Sequence, residues 1–318
     1  MEMKKLTLLL LFGLLAVVST WGQSTFTILP KFQVGDTLLY EVQQSKNKEQ
    51  ADDMLACKDF SRKFYLIIKE KDREGNFKVD YLLKETNFKI DKEVRKEFVG
   101  ISQVEKFLTQ DILKIPILLT IDRAGRLLDV NNKDEVDKAL ANSLVPMATH
   151  LVNKTMKRKP TADEKKQIME SLTSKFSITD VFDEIPALFK YYGQPLIEGK
   201  SETVDSVTTK YIIARMGDGT TWLKANIDFL NGEEIVTENN PGEEFLEESD
   251  DESEDESFED ILDLGIAVIQ EDEYKYNKEG IVTYLKYAFL IGSKDVNELD
   301  SSYQSKTEVN LLAIKKKQ

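Results

Sequence analysis

Along several stretches of this chain apolar and polar residues alternate with a period of two, as they do in strands that bury one face and wet the other. Leu38, Tyr40 and Val42 form the first such stretch. Phe64, Leu66 and Ile68 form the second. Asp72 to Gly75 then supplies a turn, and Phe77, Val79, Tyr81 and Leu83 resume the alternation, which predicts a hairpin. A second hairpin is predicted over Ile115 to Val130. Ile117, Leu119 and Ile121 run into Asp122-Arg123-Ala124-Gly125, and the chain leaves through Leu127 and Val130, with Gly125 suited to the left-handed position that closes such a turn.

The period then changes. Val136, Leu140, Leu144, Met147 and Leu151 fall on one helical face, starting near Asn132, with Pro146 expected to kink or break the helix. Thr161-Ala162-Asp163-Glu164 reads as a capping box ahead of Ile168, Leu172 and Phe176. A third, short helix is expected over Val181 to Lys190, with Phe182, Ile185 and Phe189 on its face and Gly193 ending it. From Val204 the pattern is strand-like again. Tyr211 and Ile213 lead to Gly217-Asp218-Gly219, Trp222 to Phe229 leads to Asn231-Gly232, and Ile261 to Ile269, Tyr274 to Tyr276, Ile281 to Ile291 and Val309 to Ile314 follow, with a turn at Asn277 to Gly280.

These elements define an α+β fold: a large, curved, mainly antiparallel sheet with one helical block, about residues 131–192, covering a face. Phe64 to Leu83 and Tyr211 to Phe229 are only loosely comparable, so a single domain over residues 23–318 is expected in preference to two similar β units.

The first residues change the picture of where the chain works. Lys4 and Lys5 precede an apolar run from Leu6 to Val18, and Ser19, Thr20 and Gly22 follow as small residues, which predicts a signal peptide over residues 1–22. That run is shorter than a bilayer span, so no integral membrane segment is expected after cleavage. The single cysteine, Cys57, lies far from the cleavage point. It excludes lipid attachment there and any intramolecular disulfide, and its neighbours Met54, Leu55 and Ala56 suggest a packed, inert thiol. The expected location is periplasmic or secreted.

The net charge of −14 is local in origin. Between Lys224 and Lys275 stand 20 acidic residues and no Lys or Arg, so the rest of the chain is mildly basic. A flexible acidic loop is expected at about residues 238–256, and without a central glycine it does not fit an EF-hand. The scattered basic residues accompany no nucleic-acid-binding motif, so no nucleic-acid partner is expected.

Catalytic motifs are absent: there is no HExxH, G-x-S-x-G or phosphate loop, and His150 is the only histidine. It is read as a boundary residue on the first helix. No catalytic, cofactor-binding or metal-ligating residue is assigned, and no cofactor is implied. A carboxylate-based hydrolase is the third choice, since acids paired in space leave no spacing rule in sequence. Aromatic residues gather at Phe176, Phe182, Phe189, Tyr191 and Tyr192, and at Tyr274, Tyr276, Tyr284, Tyr287 and Phe289. They read first as packing of helices on the sheet and, more sharply, as the lining of an apolar cavity.

The stretches Thr120-Ile121-Asp122-Arg123-Ala124-Gly125-Arg126-Leu127-Leu128-Asp129-Val130 and Phe32-Gln33-Val34-Gly35-Asp36-Thr37-Leu38-Leu39-Tyr40, with Gly22-Gln23 at the cleavage point, resemble uncharacterised exported proteins of Bacteroidota-type bacteria. Some of those resemble in fold the periplasmic lipoprotein carriers of the LolA type. The resemblance spans about a third of the chain and carries over no functional residue. It implies an envelope location and leaves the activity open. The lack of catalytic motifs points to an exported, non-catalytic binding or interaction protein of the cell envelope, and the sheet-plus-helices pattern to a carrier whose partner is an apolar, lipid-like ligand. The alternative is an assembly factor whose partner is another envelope protein.

Overall fold

The computed structural model describes residues 25–46, 59–88, 95–96, 99–199, 201–204, 207–229, 266–293 and 303–316. The predicted signal peptide, Cys57, the Asn231-Gly232 turn and the acidic run lie outside these residues. The strands are β1 (Thr25–Phe26), β2 (Thr37–Lys46), β3 (Asp59–Lys71), β4 (Phe77–Phe88), β5 (Ile117–Ile121), β6 (Leu127–Val130), β7 (Leu196–Ile197), β8 (Ser201–Val204), β9 (Val207–Arg215), β10 (Thr221–Asp228), β11 (Ile266–Tyr276), β12 (Val282–Ser293) and β13 (Tyr303–Lys315).

β1 and β7 form a small pair, and the other strands form one eleven-stranded sheet in the order β6-β5-β4-β3-β2-β13-β12-β11-β10-β9-β8. Every pairing in it is antiparallel. Two meanders, β2 to β6 and β8 to β13, are joined where β2 pairs with β13, with Val42 opposite Val309. The predicted hairpins at residues 64–83 and 115–130 are β3–β4 and β5–β6.

The two ends of this sheet differ. At one end β3–β4, β5–β6 and β11–β12 close through the same turn, in which Asp72, Asp122 or Asn277 accepts backbone N–H bonds from the residues two and four ahead, at 2.8–3.0 Å. A glycine at positive φ completes each turn: Gly75, Gly125 and Gly280. β9–β10 closes there too, through Met216–Thr220. At the same end the buried Asp36 meets Lys316 at 3.0 Å, fastening the start of β2 to the residue after β13. The strand ends that flank residues 47–58, 230–265 and 294–302 all lie at the opposite end.

The two faces differ as well. Phe60, Arg62, Phe64, Leu66 and Ile68 of β3 point inward with Val79, Tyr81, Leu223, Tyr274 and Leu285. The other face carries cross-strand charge pairs, Lys63 with Glu41 and Glu85, Lys69 with Asp80, and Lys224 with Glu271.

The helices are α1 (Ile101–Lys106), α2 (Lys133–Met156), α3 (Ala162–Lys175), α4 (Ile178–Val181) and α5 (Glu184–Phe189). α1, which the sequence pattern did not predict, continues through a π-helical turn (Phe107–Asp111) and a 3-10 turn (Ile112–Lys114) into β5. α2 runs through Pro146, where a kink or break was expected, without a break. The capping box at Thr161 and Glu164 forms as expected. The expected third helix is two short ones, because Phe182 leaves helical geometry between α4 and α5. Asp137 of α2 accepts the Ile178 backbone N–H at 2.6 Å, so the long helix caps the start of α4. Val136, Leu140, Leu144, Ile178, Phe182, Ile185, Leu188 and Phe189 share one apolar core with the inward strand residues.

Gly280 is the tightest of the repeated turns, since a Cβ there would lie 2.3 Å from the Leu29 carbonyl oxygen, whereas at Gly75 the nearest atom is 3.6 Å away. Gly75→Ala should lose about 1–2 kcal/mol from left-handed strain alone. Gly280→Ala should lose at least about 1 kcal/mol more as the Leu29 segment is displaced. Urea denaturation of the two variants tests this, and equal losses would show that the segment does not press on the turn.

Candidate functional site

The most unusual residue on the inward face is Arg62, whose side chain is fully buried. Strand parity puts it there, between Phe60 and Phe64 on the core side of β3. Its guanidinium lies over the rings of Phe60 and Phe182, 4.5 and 4.8 Å from their centres. Glu184, at the first position of α5 and likewise fully buried, takes its charge. Arg62 Nε donates to Glu184 Oε1 at 2.7 Å, Arg62 Nη2 donates to Glu184 Oε2, and the Tyr81 hydroxyl donates to Oε1 at 2.5 Å. Burial, the largest influence on Arg62, works against its charge, but Glu184, Tyr81 and Asp183 together outweigh it and the pKa stands above the ordinary arginine value. Burial, and then Glu184, pushes the Tyr81 hydroxyl well up.

Asp183 adjoins this pair. It accepts from Gln44 Nε2 at 3.0 Å and lies 3.4 Å from Arg62 Nη2. Burial, with the Glu184 charge second, raises its pKa to about 6. The buried Tyr287 is pushed up in turn, by burial first and then by Asp183.

The other end of α5 is fastened separately. Asp272 of β11, fully buried, accepts from Lys190 Nζ and from the Tyr191 hydroxyl, each at 2.7 Å, and from Gln270 Nε2 at 2.7 Å. Between the two ends, the Tyr274 hydroxyl donates to the Ala187 carbonyl at 2.8 Å. Register explains the geometry: Gln44, Thr307, Tyr287 and Asp272 face one another in sequence across β2, β13, β12 and β11. α5 therefore runs over a polar row that crosses four strands, carrying acids at its N-terminus and Lys190 at its C-terminus, each sign matched to the helix dipole.

On the side of this row nearer the tight turns the interior is filled with rings. Tyr40 stacks on Phe64 and Phe64 on Tyr81, with centres 5.4 and 4.3 Å apart. Tyr191 meets Tyr274 edge-on at 4.9 Å, and Tyr192 meets Tyr276 at 5.7 Å. On the other side the next register row holds Ser305, Phe289 and Gln270, and Phe289 is 37% exposed.

Of the aromatic residues singled out by sequence, Phe182, Phe189, Tyr191, Tyr192, Tyr274, Tyr276 and Tyr287 are buried, whereas Phe176 caps α3 at 45% exposure. His150 is half-buried on α2. Among the described residues no three His, Cys, Asp or Glu side chains converge on a point that could hold a metal ion. No helix of the described residues is long and apolar enough to cross a membrane. The sequence reading missed Arg62, Glu184, Asp183 and Asp272. The signal was there: Arg62 is the lone cation at the inward parity of Phe60, Phe64, Leu66 and Ile68, and Glu184 stands between Phe182 and Ile185. Compared with protein-family models and with curated proteins, the chain matches none.

Two outcomes follow from this cluster. Glu184→Leu strands a buried guanidinium and should cost about 3–5 kcal/mol, whereas Arg62→Met combined with Glu184→Leu should recover most of that loss. Chemical denaturation of the single and double variants checks it, and a double variant as unstable as the single one would show that the pair itself stabilises the fold. Asp183 has a folded pKa of about 6 against 3.8 for the free group, so the native state holds the extra proton between those values. Stability should rise as pH falls through that window, and Asp183→Asn should flatten the slope when melting temperature is followed from neutral pH to about pH 4.

Proposed function

We propose that this protein is an exported, non-catalytic carrier of the cell envelope that holds an apolar, lipid-like ligand between its sheet and helices. The observation that carries the reading is α5, fastened across the inward face at one end by Arg62 and Glu184 and at the other by Asp272 and Lys190. Buried ion pairs contribute little net stability compared with apolar residues of the same size, because desolvation offsets most of their attraction. What such a pair does supply is a discrete contact that is either made or broken, which suits a fastening that opens.

Beyond α5 the inward face continues with Phe289 partly uncovered, in the same register row as the buried Ile227 two strands away, with Gln270 between them. An acyl chain laid there would extend the apolar floor and be bordered by the polar row under the helix. A curved sheet with the helical block over one face is part of this reading. So are the signal peptide and a periplasmic or secreted location, which rest on the order of charged, apolar and small residues in positions 1–22. The resemblance of Phe32–Tyr40 and Thr120–Val130 to exported proteins with LolA-type relatives agrees with it.

Native mass spectrometry of the protein purified from its own host should show a co-purified mass in the lipid range, released under denaturing conditions. A pyrene-labelled fatty acid should bind the purified protein. The Arg62→Met, Glu184→Leu double variant, in which the fastening is apolar and no longer opens, should take the label up at least about tenfold more slowly while remaining folded. Absence of both a bound lipid and any label uptake would overturn the carrier reading.

A further inference from the structure

The outer part of the hairpin of α2 and α3 is the part of the fold that the core does not explain. α3 contributes no buried residue, and from Leu151 to Lys175 only Pro160 is buried. Its tip is cationic: from His150 through Lys166 six Lys and Arg stand against two acids. Arg158 is held by Glu164, and Lys166 is paired with Glu170. Lys154, Lys157, Lys159 and Lys165 make no ion pair among the described residues. Two large apolar side chains stand exposed among them, Met156 at 52% and Leu151 at 39%, and Leu151 shares a helical face with Lys154.

We infer that the tip of this hairpin docks on an anionic lipid surface, with the unpaired lysines against phosphate headgroups and Met156 and Leu151 entering the boundary with the acyl region. The chemistry favours a membrane over an acidic protein. The free cations are lysines, flexible point charges that need no matched geometry, while the one arginine, the residue suited to forked recognition of a carboxylate, is already engaged by Glu164. The exposed apolar side chains are separate and do not form the contiguous patch that a protein interface uses. Lysines beside scattered apolar residues on a helix fit a fluid, negatively charged boundary. The inference is independent of the carrier reading, since a chain that carries nothing would still bind through this tip.

The test is flotation of the full chain with vesicles of phosphatidylcholine alone and of phosphatidylcholine mixed with phosphatidylglycerol. The molecule as a whole bears a charge of −14, so its overall field opposes the mixed vesicles and binding to them must come from a local patch. Binding is expected with the mixed vesicles only, and it should weaken as salt is raised. Lys154→Gln, Lys159→Gln and Lys165→Gln together should lower the affinity about 100-fold at unchanged melting temperature, at roughly fivefold per charge. Leu151→Ser with Met156→Ser should lower it at least about threefold. No binding to mixed vesicles, equal binding to both kinds, or binding that the lysine substitutions leave unchanged would overturn the proposal. An unchanged affinity in the serine variant would overturn the insertion of Leu151 and Met156.

Discussion

A guanidinium with no access to water has to be answered inside the protein, and the burial of Arg62 sets much of what surrounds it. Only a carboxylate brought down onto the sheet can neutralise it, and Glu184 is brought there by starting a helix at that point. The rest of the crossing follows. α4 is too short to hold its own position, so Asp137 caps it from α2, and Phe182 then breaks helical geometry so that α5 can begin over Arg62. Six residues later Lys190 and Tyr191 reach Asp272. The connection between the two outermost strands, β6 and β8, is thus tied to two interior strands on its way across.

This arrangement divides the labour within the sheet. The end with the repeated Asx and glycine turns is fixed by short-range hydrogen bonds, and the stacked rings from Tyr40 to Tyr276 fill the interior beside it. The polar row under α5 marks where that filling stops. Two exposed segments therefore have different physical standing. The α2–α3 hairpin is ordered by the core packing of the first half of α2 and by the capping box of α3, whereas the inward face beyond α5 is ordered by the strands themselves.

Sequence patterning reached the parts of this fold that are local. The β3–β4 and β5–β6 hairpins, the turn at Asn277 and the capping box at Thr161 each depend on residues a few positions apart, and each is where the pattern put it. It missed what depends on distance. The pairing of β2 with β13, which makes one sheet of two meanders, has no marker in either strand, because alternation states which face is buried and not which neighbour is paired. Pro146 lacks an N–H, which predicts a kink or a break, yet α2 continues through it to Met156. The candidate site was least legible. Arg62 was hidden between Ser61 and Lys63, where three polar residues in a row read as a wetted stretch until parity assigns the middle one to the core.

The pairing of β2 with β13 also fixes when the sheet can become whole. Lys316 and Asp36, which fasten that seam, stand 280 positions apart. On a chain emerging from N- to C-terminus, the middle of the sheet is therefore the last place to close. Until Tyr303 onward has been made, β2 and β12 each face the solvent with a full row of unsatisfied backbone groups, in what will become the most interior part of the sheet. Any truncation short of that strand, by a stalled ribosome or a protease, leaves two half-sheets with adhesive central edges, and such fragments pair with one another or with any extended chain nearby. A molecule built this way gains from being kept unfolded until it is complete.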